Sequence, residues 1–190
     1  QPKKGSEIEQ LLFNYLPGPV SIAEGVIEAH AAEPGSHRSQ AFMENFNELR
    51  RMLCERVNAP RVQIMMGSGT LGNDIVAAQI GVLQGRGLVL VNGEFGHRLH
   101  DQAIRAGLDF EVIHTDEGRT FNRETLQQAI SQHENLSWVW TVHCETSTGV
   151  LNDIAMLREL CKQHNLKLCL DGISSIGSYD VDLQDVYLAT

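Results

Sequence analysis

Short apolar runs and stretches with helical spacing take turns along the chain. Val62–Met66, Leu88–Val91, Phe110–His114, Trp138–Val142 and Leu166–Leu170 lie between turn signals and predict buried strands. Val186–Ala189 predicts the start of another strand. Phe42, Phe46, Leu49 and Leu53 recur on one helical face, which predicts a helix from Phe42 to about Val57. Further helices are expected over Leu71–Leu83, His97–Ala106, Arg123–Gln132 and Asp153–His164. Near the start, Pro17-Gly-Pro19 reads as a rigid turn. Ser21 is placed to cap a short helix through Val26 and Ile27, and Glu33–Ser39 reads as a loop. Strands alternating with helices of this length predict βαβ units. The fold class is therefore α/β, a mostly parallel sheet with helices on both faces.

The chemistry-bearing residues gather where the strands end. The run Leu166–Leu170 stops on Asp171, followed by Gly172, Ser174 and Ser175. In an open α/β sheet ligands sit beyond the carboxyl ends of the strands. A carboxylate there, costly to bury unpaired, should face something cationic unless it only caps the next turn. Gly67-Ser-Gly-Thr70 joins a strand to a helix, either as a phosphate cradle of helix-start N–H groups or as an N-cap with glycines for the turn. It has neither the GK[ST] of a P-loop nor a full GxGxxG. Asn92-Gly-Glu-Phe-Gly-His-Arg98 puts Phe95 between glycines. This suits a platform for a flat heteroaromatic ring, or an exposed loop side chain packing on a neighbouring subunit. His143-Cys-Glu-Thr-Ser-Thr-Gly149 offers hydroxyls for a phenol or phosphate. His143 reads as a satisfied strand-end histidine, and no spacing here closes a metal shell.

Composition narrows the class. The 190 residues are enough for one full core, and 42% apolar with 21% charged residues is ordinary for a globular chain. A net charge of −9 argues against a nucleic-acid surface. No apolar run approaches the roughly 20 residues of a membrane helix. The first residues, Gln1 to Gly5, read as a frayed or processed end without a signal peptide. The four cysteines show no CxxC spacing, so reduced structural thiols in a cytoplasmic protein are expected.

A phosphate cradle, a ring platform with nearby hydroxyls and a carboxylate facing a cation together suit a phosphorylated pyridine. At these motifs the chain resembles the class V aminotransferases, fold-type I enzymes that use pyridoxal 5'-phosphate (PLP). The matching residues are Pro17-Gly-Pro19, Gly67–Thr70, Asn92–Arg98, His143–Gly149 and Asp171-Gly-Ile-Ser-Ser-Ile-Gly177, in the family's order. Within the family it is most similar to the branch with alanine–glyoxylate and 2-aminoethylphosphonate–pyruvate aminotransferases. The resemblance implies that Ser68, Gly69 and Thr70 hold the cofactor phosphate and that Phe95 stacks on one face of the pyridine. Ile173 packs on the other face, Thr146 bonds near the phenolic oxygen, and Asp171 pairs with the ring nitrogen. Asp171 is thus the catalytic residue the resemblance assigns. Partners so implied are a small amino donor, a 2-oxo acid and a second copy of the chain in a homodimer.

One departure follows from the same resemblance. The family's Schiff-base lysine lies a couple of dozen residues past this aspartate, and Lys3, Lys4, Lys162 and Lys167 do not match it. Residues 1–15 are expected to be an N-terminal extension, and 16–190 a large PLP-binding domain that is truncated, without the small domain. Transamination by this chain alone is not expected. Other PLP chemistry on the same fold, a desulfurase or lyase, is the alternative. Ser174-Ser175 and Phe95 stand where desulfurases usually carry glutamine and histidine. A non-catalytic interaction module is the remaining reading.

Overall fold

The computed structural model describes residue 16 and residues 18 to 190, so Pro17 and the expected extension over 1–15 lie outside it. The chain clusters into two compact units, Gln1–Phe42 and Met43–Thr190. In the first, α1 (Glu24–Ala31) has no buried residue. Its N-cap is Ala23, so Ser21 stands two residues too early to reach the helix's free N–H groups. Ser39 does reach the next helix, its Oγ accepting from Phe42 N at 3.2 Å. That helix, α2, runs over Gln40–Val57.

The second unit contains the sheet. Helix α3 (Gly69–Ile80) precedes β1 (Arg86–Val91), α4 (Glu94–Arg105), β2 (Phe110–His114), α5 (Arg123–Gln132) and β3 (Leu136–Val142). Then come a two-residue hairpin, β4 (Cys144–Glu145) and β5 (Val150–Leu151), followed by α6 (Ile154–Gln163), β6 (Lys167–Asp171) and β7 (Leu188–Ala189). The five-stranded sheet has the order β2-β1-β3-β6-β7, every pair parallel. Period-two alternation splits its side chains between two cores. Leu88, Leu90, Val139, Leu168 and Leu170 face α5 and α6, while Val89, Val91, Trp138, Trp140 and Cys169 face α3 and α4. Burial on both faces is why these strands read as continuous apolar runs.

Three expectations are corrected. Val62–Met66 forms no strand, and Ile64, Met65 and Met66 are exposed. An apolar run becomes a strand only when another strand pairs its backbone, and none of the described strands does so here. Helix α4 starts at Glu94 rather than His97, so Phe95 lies in its first turn and not in a loop. Strand β1 starts at Arg86 rather than Leu88, and a Cβ on its Gly87 would meet the Trp138 ring at 2.0 Å. The hairpin within 144–151 was not foreseen.

Candidate functional site

The chain leaves β1 for β2 on one side and returns to place β3 on the other, so the strand order reverses beside β1. Such a switch opens a crevice at the carboxyl ends of the strands. At that end lies a cavity of about 330 Å³. Gly69, Thr70 and Asn73 of α3 form one wall, and Phe95, Arg98, Asp101, Gln102 and Arg105 of α4 another. Asp171 and Ile173 complete it. Five residues singled out in the sequence thus converge: Gly69, Thr70, Phe95, Asp171 and Ile173. Ser68 and Thr146 are not among its lining residues.

Asp171 closes β6 and is buried. Its Oδ2 accepts from Asn73 Nδ2 at 2.8 Å and its Oδ1 from Ile173 N at 3.0 Å. Burial pushes its carboxyl above the usual range. The Asn73 and Ile173 donors oppose that shift, and the Glu145 carboxylate adds to it. Both donors are neutral, and no lysine or arginine among the described residues pairs with it. The cation expected opposite Asp171 is therefore not a described side chain.

Helix α3 brings its first turn to the cavity. Ser68 is its N-cap, with Oγ accepting from Leu71 N at 3.3 Å, so this hydroxyl serves the helix start. The N–H groups of Gly69 and Thr70 find no acceptor among the described residues, and the positive end of the helix dipole lies there. A Cβ on Gly69 would come within 2.3 Å of Ile173 Cδ1, so only glycine lets these two elements meet without displacing Ile173. Gln102 Nε2 ties α4 to α3 through Thr70 O at 3.1 Å and Asp74 Oδ1 at 2.8 Å.

Phe95 is half-buried, packed on the core behind it, with the Arg98 guanidinium 4.7 Å from its ring centroid. The device that holds it is Glu145, which is fully buried. Its carboxylate accepts from Phe95 N at 3.3 Å, Gly96 N at 3.0 Å and Ser147 Oγ at 2.6 Å. Glu145 therefore caps α4 from a different strand. In the sequence Glu145 appears only within the His143–Gly149 segment, with nothing local to mark it as a helix cap. The available signal was Gly93, since a Cβ there would lie 2.5 Å from Glu145 Cγ. Thr146 Oγ1 lies 2.5 Å from Ser174 Oγ, joining the hairpin to the segment after β6. His143 is buried, its Nδ1 2.8 Å from Ser175 Oγ, and burial lowers its affinity for a second proton.

No group of three or more potential metal ligands occurs among the described residues. All four cysteines are free, and burial pushes the thiols of Cys161 and Cys169 up to about 12. No helix among the described residues is long and apolar enough to cross a membrane. Lys167 begins β6, at the opposite end from Asp171, its Nζ 4.3 Å from the Tyr187 ring centroid. Lys162 pairs with Asp185 at 3.5 Å. Neither lines the cavity.

Comparison with known proteins gives the family and the fold. Residues 26–188 match the family model described as aminotransferase class-V. The chain is 31% identical over 180 residues to a 2-aminoethylphosphonate–pyruvate transaminase of Pseudomonas fluorescens, covering 90% of this chain and 47% of that protein. The solved alanine–glyoxylate aminotransferase of Nostoc sp. superposes with a TM-score of 0.82 at 28% identity, over 91% of this chain and 47% of the other. An aspartate aminotransferase of Thermus thermophilus gives 0.81 at 30% identity, over 91% and 50%. The chain spans about half the length of the relatives it matches. It carries part of a fold-type I aminotransferase architecture and belongs to the class-V aminotransferase family.

Proposed function

We propose that the 330 Å³ cavity holds pyridoxal 5'-phosphate, as the cofactor site of a transaminase that moves an amino group from a small amino donor to a 2-oxo acid such as pyruvate or glyoxylate. The observation that carries this reading is Asp171, a buried carboxylate bonded only to neutral donors in a ligand-sized cavity. When bound, the cofactor supplies an electron sink for the pair left by Cα–H cleavage.

Each residue has a role the chemistry asks for. The Gly69 and Thr70 N–H groups, at the positive end of α3, receive the phosphate, with Ser68 keeping that turn in place. Phe95, held by Glu145, gives a ring to stack on, and Ile173 covers the other face. Asp171 accepts a hydrogen bond from the ring nitrogen and favours its protonated form. Thr146 stands with Ser174 to bond near the phenolic oxygen. No described lysine faces the cavity, so this chain alone is expected to bind the cofactor without turning over substrate. Val20, Ile22, Val26 and Ile27 are exposed, which supports a homodimer in which such residues are covered. Free thiols suit a cytoplasmic location.

The test is calorimetric titration with pyridoxal phosphate and with pyridoxal, followed by borohydride reduction and intact-mass measurement. Binding that needs the phosphate, competes with inorganic phosphate and leaves Lys162 and Lys167 unmodified is expected. Equal or absent binding of the two compounds would remove the proposal.

A further inference from the structure

Between α3 and the end of β6 a short polar chain reaches Asp171 through Asn73 and Thr190, two residues that the proposed cofactor contacts do not use. Asn73 is 5% exposed, and its side chain touches both Asp171 and Thr190. The Thr190 hydroxyl donates to Asn73 Oδ1 at 2.7 Å, and Asn73 Nδ2 donates to Asp171 Oδ2 at 2.8 Å. The Thr190 carbonyl in turn accepts from Gly172 N at 2.8 Å, immediately after Asp171. A carboxylate only accepts hydrogen bonds, so the amide must turn its nitrogen toward Asp171 and its oxygen toward the threonine. The orientation of Asn73 is thereby set from both sides. With Ile173 N on Oδ1, each carboxylate oxygen has one fixed donor and keeps lone-pair capacity for a ligand in the cavity.

The neutrality of this donor matters. An arginine or lysine in its place would satisfy the charge of Asp171 and leave little of it for a ligand. An apolar residue would leave a buried carboxylate with one donor fewer, and that carboxylate would take up a proton more readily. An amide keeps the charge and leaves it unneutralised. Other charged groups around the site are Glu145 of β4 and, across the cavity on α4, Arg98, Asp101 and Arg105. None of them hydrogen-bonds to Asp171.

We infer that Asn73 is a positioning residue: its amide, oriented by Thr190, keeps the Asp171 carboxylate ionised and aimed into the cavity, so that the site selects a ring with a protonatable nitrogen. This rests on the PLP reading for the ligand but not for the state of Asp171. Two measurements separate them. In the unliganded chain labelled with ¹³C at aspartate, the Asp171 carboxyl signal, assigned with Asp171→Asn, is titrated in the unsubstituted chain, Asn73→Leu and Asn73→Gln. Asn73→Leu should raise the proton affinity of Asp171 roughly tenfold, the size of one hydrogen bond to a charged group. Asn73→Gln, which keeps the donor, should restore most of it. Thr190→Val should give a smaller shift in the same direction and serves if Asn73→Leu does not fold.

The second measurement is the affinity ratio of pyridoxal phosphate to its carbocyclic analogue, in which CH replaces the ring nitrogen. The unsubstituted chain should prefer the nitrogen compound, and Asn73→Leu should lose roughly tenfold of that preference. An unchanged Asp171 titration overturns the inference whatever the ligand does. A shifted titration with an unchanged preference overturns the aiming role and leaves the PLP reading intact. An unsubstituted chain with no preference overturns the PLP reading, and the titration then decides alone whether Asn73 governs Asp171.

Discussion

The same sheet has a cavity at each end, and the larger one is the less informative. At the amino ends of β3 and β6 a recess of about 490 Å³ is lined by Ser137, Asn165, Lys167, Asp185 and Tyr187. Its charged groups are satisfied locally. Lys167 lies over Tyr187, and Asp185 takes Lys162. Asn165 and Asp185, with φ of 55° and 63°, are ordinary turn residues. At the carboxyl ends the cavity is smaller, yet it gathers an unneutralised buried carboxylate, a helix N-terminus with free N–H groups and an aromatic ring. The asymmetry follows from parallel topology. Of the two helices at the site, α4 starts where β1 ends and α3 starts at the same end before leading into β1, so their unpaired donors and positive dipole ends collect there. Bonding capacity left for a ligand, rather than volume, distinguishes a site from a recess.

The largest expected effect tests that difference directly. Asp171→Asn should weaken pyridoxal phosphate binding about a hundredfold, roughly the 3 kcal/mol of a hydrogen bond to a charged group. Asp185→Asn, in the larger recess, should change it less than twofold. Calorimetry on both variants decides. Equal losses would mean that the two ends are not chemically distinct.

Next comes the support behind Phe95. Glu145→Ala removes the acceptor of three backbone N–H groups, those of Phe95, Gly96 and Ser147, and of the Ser147 hydroxyl, inside a site where water does not replace it. A loss of about 2 kcal/mol in urea unfolding is expected, with weaker cofactor binding because the start of α4 is freed. A substitution that leaves stability intact would show that α4 does not depend on this cap.

These two residues also show what a sequence discloses. Asp171 was legible because an apolar run ends on a charge, a local signal. Gly69 and Thr70 were legible for the same reason, as glycine and hydroxyl between elements. Glu145 was not legible as a cap, because the helix it caps begins 51 residues earlier in the chain and only the β1–β3 pairing brings them together. Asn73 was missed likewise, since its partner stands 98 residues away. The strand expected over Val62–Met66 failed for the complementary reason: its pattern is local, but a strand needs a pairing partner that the described residues do not supply.

The pH dependence sharpens the comparison more gently. Asp171 holds its proton more tightly in the folded chain than in the unfolded one, because burial raises its carboxyl. Its contribution to stability is therefore full below about pH 4, the ordinary carboxylate value, and is lost as pH rises through the folded value. Asp171→Asn lacks this loss, so its stability relative to the unsubstituted chain should climb across that window. His143 has the opposite sign. Burial lowers its folded value, so its contribution is present above about pH 6.5 and fades as pH falls. Denaturation of His143→Asn against the unsubstituted chain from pH 7.5 to 5 should show the difference narrowing toward acid.

The smallest effect is expected at Lys167, and its smallness is informative. The residue begins β6, four positions before Asp171, which places it about 13 Å away along an extended strand. Its ammonium rests on Tyr187 and is open to solvent on its other sides. Lys167→Met should cost under about 0.5 kcal/mol, the scale of an exposed cation–ring contact, and should leave pyridoxal phosphate affinity unchanged. Borohydride reduction should trap no stoichiometric adduct on it. A single adduct at Lys167 would place the reactive aldehyde at the amino end of the sheet. The larger recess would then be the site, and the carboxyl-end cavity, with its carboxylate and helix start, would lose its claim.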